Sequence, residues 1–274
     1  MQSRTQAVAA AIVVAVIAAA LAVWFNRQQP APPQQAPVAT AAPPASVARA
    51  HAPAEPAIEH PIEAPTAQPP LADTELAAAL ADLIGRKAVL SFLQTDEFPR
   101  RFVATVDNLG RSHAPAALWP VTPTAGRFTV DDSADGPVIG ADNSARYTPF
   151  VLLAETVDIG RAVDLYVRMY PLLQKAYEQL GFPRRHFNDR LFEVIDQLLA
   201  TPEAAYPMQL KLLEVKGSVP SLRPWVRYQY ADRSLESLSA GQKILLRVGP
   251  VNQRRLKAKL AEIRQELVAR APKR

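Results

Sequence analysis

Cysteine is absent from this 274-residue chain. That excludes together a lipid-modified cysteine anchor, a disulfide framework, a zinc–thiolate site and a cysteine nucleophile. Histidine is nearly as scarce. Of four histidines, only His113 and His186 fall in the part expected to fold, so a histidine-dependent triad has little to draw on. The short catalytic motifs are missing as well. Gly110-Arg111-Ser112-His113-Ala114 fails the G-x-S-x-G elbow at its last position, and Lys243 comes one residue too late after Ser239 for S-x-x-K. Gly241-Gln242-Lys243 lacks the glycine-rich loop that cradles phosphate, and H-E-x-x-H does not occur. No catalytic residue is assigned, and no cofactor is expected.

What the chain does have is one long uncharged run, Ala7–Phe25 (AVAAAIVVAVIAAALAVWF). It is close to the roughly twenty residues a helix needs to cross a bilayer core of ~30 Å. The run is read as an uncleaved transmembrane helix, because Trp24 and Phe25 at its far end suit a membrane–water interface. The competing reading is a secretory signal cut after Ala20-Leu21-Ala22. Arg4 precedes the run, Arg27 follows it, and the next basic residue is Arg49. Positive charge at the membrane end sets the cytoplasmic side, so residues 1–6 are expected inside and the body outside. In a bacterium that makes a single-pass inner-membrane protein with a periplasmic domain. Its first partner is the lipid bilayer.

Residues 26–70 hold twelve of the 26 prolines. Proline fixes φ and removes an amide donor, so this segment is expected to form a disordered, polyproline-like stalk. His51 and His60 lie within it and are read as solvated side chains.

Residues 71–274 carry mostly helical apolar spacing, which predicts a mainly α domain with a minor antiparallel β element. Asp73 is the expected cap of a helix through Leu76, Leu80 and Ile84, stopped by Gly85. Phe98, Phe102, Val106 and Leu109 mark a second helix between Asp96 and Gly110. Residues 111–146, rich in proline and glycine, are expected to be irregular, with at most a short strand such as Arg127–Val130. Helix is predicted again from Tyr147, with Thr148-Pro149 as cap. The next helix, Ile159–Leu180, should kink or break at Pro171. Asn188 is the expected cap of a helix bearing Leu191, Phe192, Ile195 and Leu198. Gln209–Val215 and Trp225–Tyr230 alternate as a strand pair. Ala240–Arg247 and a helix beginning at Pro250 finish the chain.

From Pro250 onward there are eight basic and two acidic residues. That face would suit anionic headgroups or nucleic acid. An extracytoplasmic body argues against nucleic acid, and none is expected as a partner.

Three groups of residues are candidates for a site. Asp131, Ser133, Asp135 and Asp142 place oxygen ligands at positions 1, 3, 5 and 12 of a calcium-type loop, with Gly136 at the turn. Position 12 is the shorter Asp, and strand rather than helix precedes the loop, so an acidic turn explains the same letters. Asn188, Asp189, Arg190, Glu193 and Asp196 form the second group. Asp189, Glu193 and Asp196 share one helix face, where carboxylates would work as acid and base or grip a cation. The plainer reading pairs Arg190 with Glu193 within one turn. Arg100-Arg101 near a helix start opposes the helix dipole and calls for an acidic partner such as Asp189 or Asp196, or a bound anion. Tyr166, Tyr170 and Tyr177 on one face would stack on sugar rings, or simply be core.

Three of these segments, RRFVATVDNL (Arg100–Leu109), FNDRLFEVIDQLLATP (Phe187–Pro202) and LSAGQKILLRVGP (Leu238–Pro250), resemble an uncharacterised bacterial family. Its members combine a membrane segment, a Pro/Ala-rich stalk and a domain of unknown function. The resemblance implies an envelope protein and supplies no activity or catalytic residue. The expectation is thus a non-catalytic, membrane-held helical domain facing a periplasmic protein or peptidoglycan. A cell-wall hydrolase or transferase using Asp189, Glu193 and Asp196 is the alternative.

Overall fold

The computed structural model describes residues 57–62, 69–214 and 224–272. The expected transmembrane helix 7–25, its cytoplasmic flank and most of the stalk lie outside the described residues. Among the described residues, no helix is long and apolar enough to cross a membrane.

The described chain is mainly helical, with two small antiparallel hairpins. A 3-10 turn at Asp73–Glu75 leads into α1 (Leu76–Ile84), and Asp73 lies in that turn rather than capping the helix. Gly85 then takes φ 86°, a value that glycine adopts without the Cβ clash other residues meet. It does not end the helical region. It turns the chain into α2 (Arg86–Phe92), a helix the apolar spacing did not reveal. α3 (Phe98–Leu109) starts one residue after the expected boundary, with Pro99 in its first turn and Glu97 at φ 50° before it.

Residues 111–146 are more ordered than their composition suggests. β1 (Val130–Ser133) pairs antiparallel with β2 (Gly136–Ile139), in register Val130↔Ile139 and Ser133↔Gly136. α4 begins at Asn143, not at Tyr147, and runs to Thr156 with Pro149 inside it. Asn143 explains the earlier start. Its buried side chain accepts from the Thr129 amide (3.1 Å) and donates to the Thr129 and Gly140 carbonyls, tying the helix to the hairpin.

α5 (Ile159–Gln179) is capped by the Asp158 side chain, which accepts from the Arg161 amide at 2.9 Å. Pro171 does not break it. The helix buries Val163, Leu165, Val167, Met169, Leu173, Ala176 and Tyr177, so packing on several sides outweighs the one hydrogen bond that proline removes. α6 (Phe187–Leu199) follows, with His186 rather than Asn188 at the cap position. β3 (Leu210–Leu212) and β4 (Tyr228–Tyr230) pair antiparallel, close to expectation. The Ile139 amide donates to the Met208 carbonyl at 3.0 Å, so the two hairpins abut. α7 (Arg233–Glu236), α8 (Ala240–Arg247) and α9 (Pro250–Ala269) complete the chain. Ser239 and Gln242 cap α8 reciprocally, a capping box.

α3, α5, α6 and α9 pack around the main core, joined by α1. A smaller core of Ile139, Met208, Leu210, Tyr230 and Leu246 lies under the hairpins. One part of the expected stalk is not free. Residues 57–62 lie against α6, and Ile62 packs on the main core.

Candidate functional site

The segment 57–62 is held by the first turn of α6. Asp189 accepts the His60 amide at 2.7 Å and the Glu59 amide at 3.3 Å. Asn188 donates to the His60 carbonyl at 2.7 Å and accepts from the Tyr166 hydroxyl at 2.9 Å. A carboxylate here is also favoured by the helix dipole. Asn188 and Asp189 therefore satisfy both backbone groups of His60, as a neighbouring strand would. The His60 ring stacks on Phe192, with centroids 4.0 Å apart and planes 8° from parallel. Its Nδ1 lies 3.3 Å from Asp189 Oδ1 without hydrogen-bond geometry. His60 is thus a packed residue, and its expected solvation is corrected. Nothing in its local sequence marked it, because its partners are about 130 residues away.

Below this clamp lies a charge network that the sequence only half disclosed. Arg190 pairs with Glu193 at 2.7 Å, as its spacing predicted, and with Asp107 at 3.0 Å. It also donates to the Asp107 carbonyl at 2.8 Å, while Asp107 receives Arg111 through its other oxygen. Asp107 is buried on the apolar face of α3 beside Val103 and Val106. A carboxylate among apolar periodic positions was the available signal, since buried charges are paired. Burial pulls the Arg190 guanidinium down, but the hydrogen bond and charge of Glu193, with Asp107 behind them, more than offset it and raise it. Gly110 makes room: a Cβ there would sit 2.7 Å from Arg190 Nη2. A cleft of about 280 Å³ opens beside the network, lined by Ala57, Glu59, Tyr177, His186, Asp189 and Glu193, among others.

The remaining candidates lie apart. Asp196 binds Arg264 of α9 through both oxygens, and that hydrogen bond holds its carboxyl below the ordinary range. Arg100 meets Glu97 at 3.3 Å. Arg101 donates to the carbonyls of Asp96 (3.0 Å) and Ala117 (2.8 Å), bracing the turn after α3. Neither arginine reaches Asp189 or Asp196. Asp189, Glu193 and Asp196 each have a different partner, so no two are paired as acid and base. Asp131 and Ser133 sit in β1, where Asp131 accepts from the Ala141 amide and Ser133 donates to the Gly136 carbonyl. The segment with Asp135 and Asp142 is a hairpin leading into α4, in keeping with an acidic turn, the plainer reading of the same letters. Among the described residues, no three His, Asp or Glu side chains converge as a metal would require.

A further feature was not anticipated. Inside the bundle is an apolar chamber of about 360 Å³, walled by α1, α3, α5, α6 and α9. Eleven of its eighteen lining residues are buried, among them Val163, Val194, Ile195 and Leu198, and the other seven are partly exposed, so it is an apolar recess of the core that opens toward the surface. Tyr166 carries the only polar side-chain atom in the wall, and its hydroxyl is spent on Asn188. Burial raises that hydroxyl well above its ordinary pKa, with Tyr170 and Asp189 adding to it. Water needs two to four polar partners, and the wall offers none. Periodicity marked most of the lining residues as core, though not Val163, Leu165, Met169 or Val194, and contains no information on whether they meet.

A family model described as a protein of unknown function, DUF3014, matches residues 98–264, more than half of the chain. The chain belongs to the DUF3014 family. No curated protein and no solved structure matches it. The DUF3014 span holds Asp107, Gly110, Arg190, Asp196 and Arg264, and most of the chamber wall. The clamped segment 57–62 and α1 fall outside it.

Proposed function

We propose that this DUF3014 chain is a non-catalytic, single-pass envelope protein, anchored through residues 7–25, that presents its helical domain to a partner in the periplasm. The anchor supports the address by its length and lack of charge. The observation that carries the non-catalytic part is the fate of the carboxylates. Glu193 and Asp196 are paired with arginines, and Asp189 is committed to the backbone of Glu59 and His60. A general acid needs a raised pKa and an open approach. Asp196 has instead a lowered one. The clamp on residues 59–60 gives the tether a defined exit point beside α6, so a partner would meet the domain in a restricted orientation.

Reporter fusions after Arg274 test the address: an enzyme active only outside the cytoplasm should be active, and a fluorophore that matures only inside should stay dark. Photo-crosslinking in intact cells from positions around the cleft at Glu59 and Glu193 tests the partner, expected to be an envelope protein or peptidoglycan. Turnover of wall fragments by the full chain, abolished in Asp189→Asn, would replace this reading with the hydrolase or transferase.

A further inference from the structure

The chamber adjoins a second, charged space. Leu83 and Leu165 line both, and the neighbouring space of about 200 Å³ is bordered by Arg161, Arg168, Asp82 and Asp164. Arg161 is paired with Asp82 at 2.8 Å, and Asp164 is taken by Arg270. Arg168 differs. Among the described residues the only polar partner of its guanidinium is the Pro69 carbonyl at 3.4 Å, too long for a strong bond. The arrangement is a hydrocarbon-lined recess whose polar neighbour offers a guanidinium with no further partner among the described residues.

We propose that the chamber binds one fatty-acyl chain, with the anionic head of that amphiphile at Arg168. The size, within the range of small-molecule sites, and the lack of polar wall atoms select a flexible hydrocarbon. Any ligand with polar groups along its length would lose hydrogen bonds to water and find none inside. An acyl chain has its one polar group at the end, and the arginine fork matches a carboxylate or phosphate there. A free fatty acid and a single-chain phospholipid share this chemistry. The inference uses only the described domain, so it stands whether or not residues 7–25 form an anchor.

The test uses the full chain in nanodiscs of palmitoyl-oleoyl phosphatidylglycerol, with dodecanoic acid carrying a terminal diazirine as probe. After irradiation, adducts are expected on the α5 and α6 peptides that carry Val163, Ile195 and Leu198. Excess dodecanoate or lysophosphatidylglycerol should compete, and the stronger competitor names the source; competition by neither overturns the proposal. Ala162→Phe puts a ring into the chamber from its wall. It should cut labelling about tenfold, the loss in affinity from displacing two buried methylenes. Arg168→Glu lies outside the apolar wall and leaves the core intact. It should cut labelling about threefold, the scale of a partly exposed ion pair. Adducts confined to residues 7–25 or to the outer surface, or labelling of Arg168→Glu and Ala162→Phe equal to the parent, would refute it.

Discussion

Asp107→Ala is the most searching test of how the domain is held together. Asp107 is 11% exposed at its side chain and Arg190 is 15% exposed, so the mutation leaves a guanidinium largely shielded from water. Breaking such a pair from one side typically costs about 3–5 kcal/mol, more than the pair itself contributes. Two features move the value to the low end. Arg190 keeps Glu193 at 2.7 Å, and Arg111, about half exposed, hydrates when released. The expected loss is about 3 kcal/mol, a fall in Tm of roughly 6–12 °C for a domain of this size. Urea unfolding of the full chain, followed by circular dichroism, measures it. Arg190→Met and the double variant complete a cycle whose coupling should be about 2 kcal/mol. Coupling below about 0.5 kcal/mol would mean the two side chains act independently, and the network would lose its structural role.

Other outcomes follow from the same geometry. Gly110→Ala should destabilise by about 1–3 kcal/mol, because the new methyl meets Arg190 Nη2 at 2.7 Å and Val194 at 3.1 Å; a neutral result in the same unfolding assay would show that Arg190 can withdraw. Asp189→Ala should release residues 57–62, seen as faster hydrogen exchange at the Glu59 and His60 amides, and unchanged protection there would count against the clamp. The Asp196–Arg264 pair is half exposed, so Asp196→Asn should cost at most about 1 kcal/mol at neutral pH. The Asp196 carboxyl titrates lower folded than unfolded, so its contribution is present above the ordinary carboxylate pKa. It should disappear as the pH falls through the folded value, and a variant difference that grows in acid would contradict this pairing.

Local pattern located most helices well. Apolar spacing plus a terminal glycine or proline delimited α3 and α8 to within a residue or two and set the start of α9, and the Asn188 signal placed the start of α6 within two residues, because those helices bury one apolar stripe. It failed where long-range partners decide. Thr148-Pro149 looks like a start, with helix expected from Tyr147, but Asn143 draws it back four residues by bonding the hairpin. Asn188 has the chemistry of a cap, yet Tyr166 and His60 claim its side chain. Asp131–Asp142 has the letters of a calcium loop, yet pairing of Val130–Ser133 with Gly136–Ile139 turns it into a hairpin.

Composition and spacing by themselves determined the helical class, the helix stripes, the Arg190–Glu193 pair and the lack of cysteine and of the short catalytic motifs. These are properties of residue type and of neighbours within one turn. Tertiary structure alone decided that Asp107 would face Arg190 across 83 residues, that His60 would leave the stalk for Phe192, and that five apolar stripes would meet around a hollow. A stripe records which side of a helix avoids water. How closely two such sides approach depends on the shapes of side chains that are strangers in sequence.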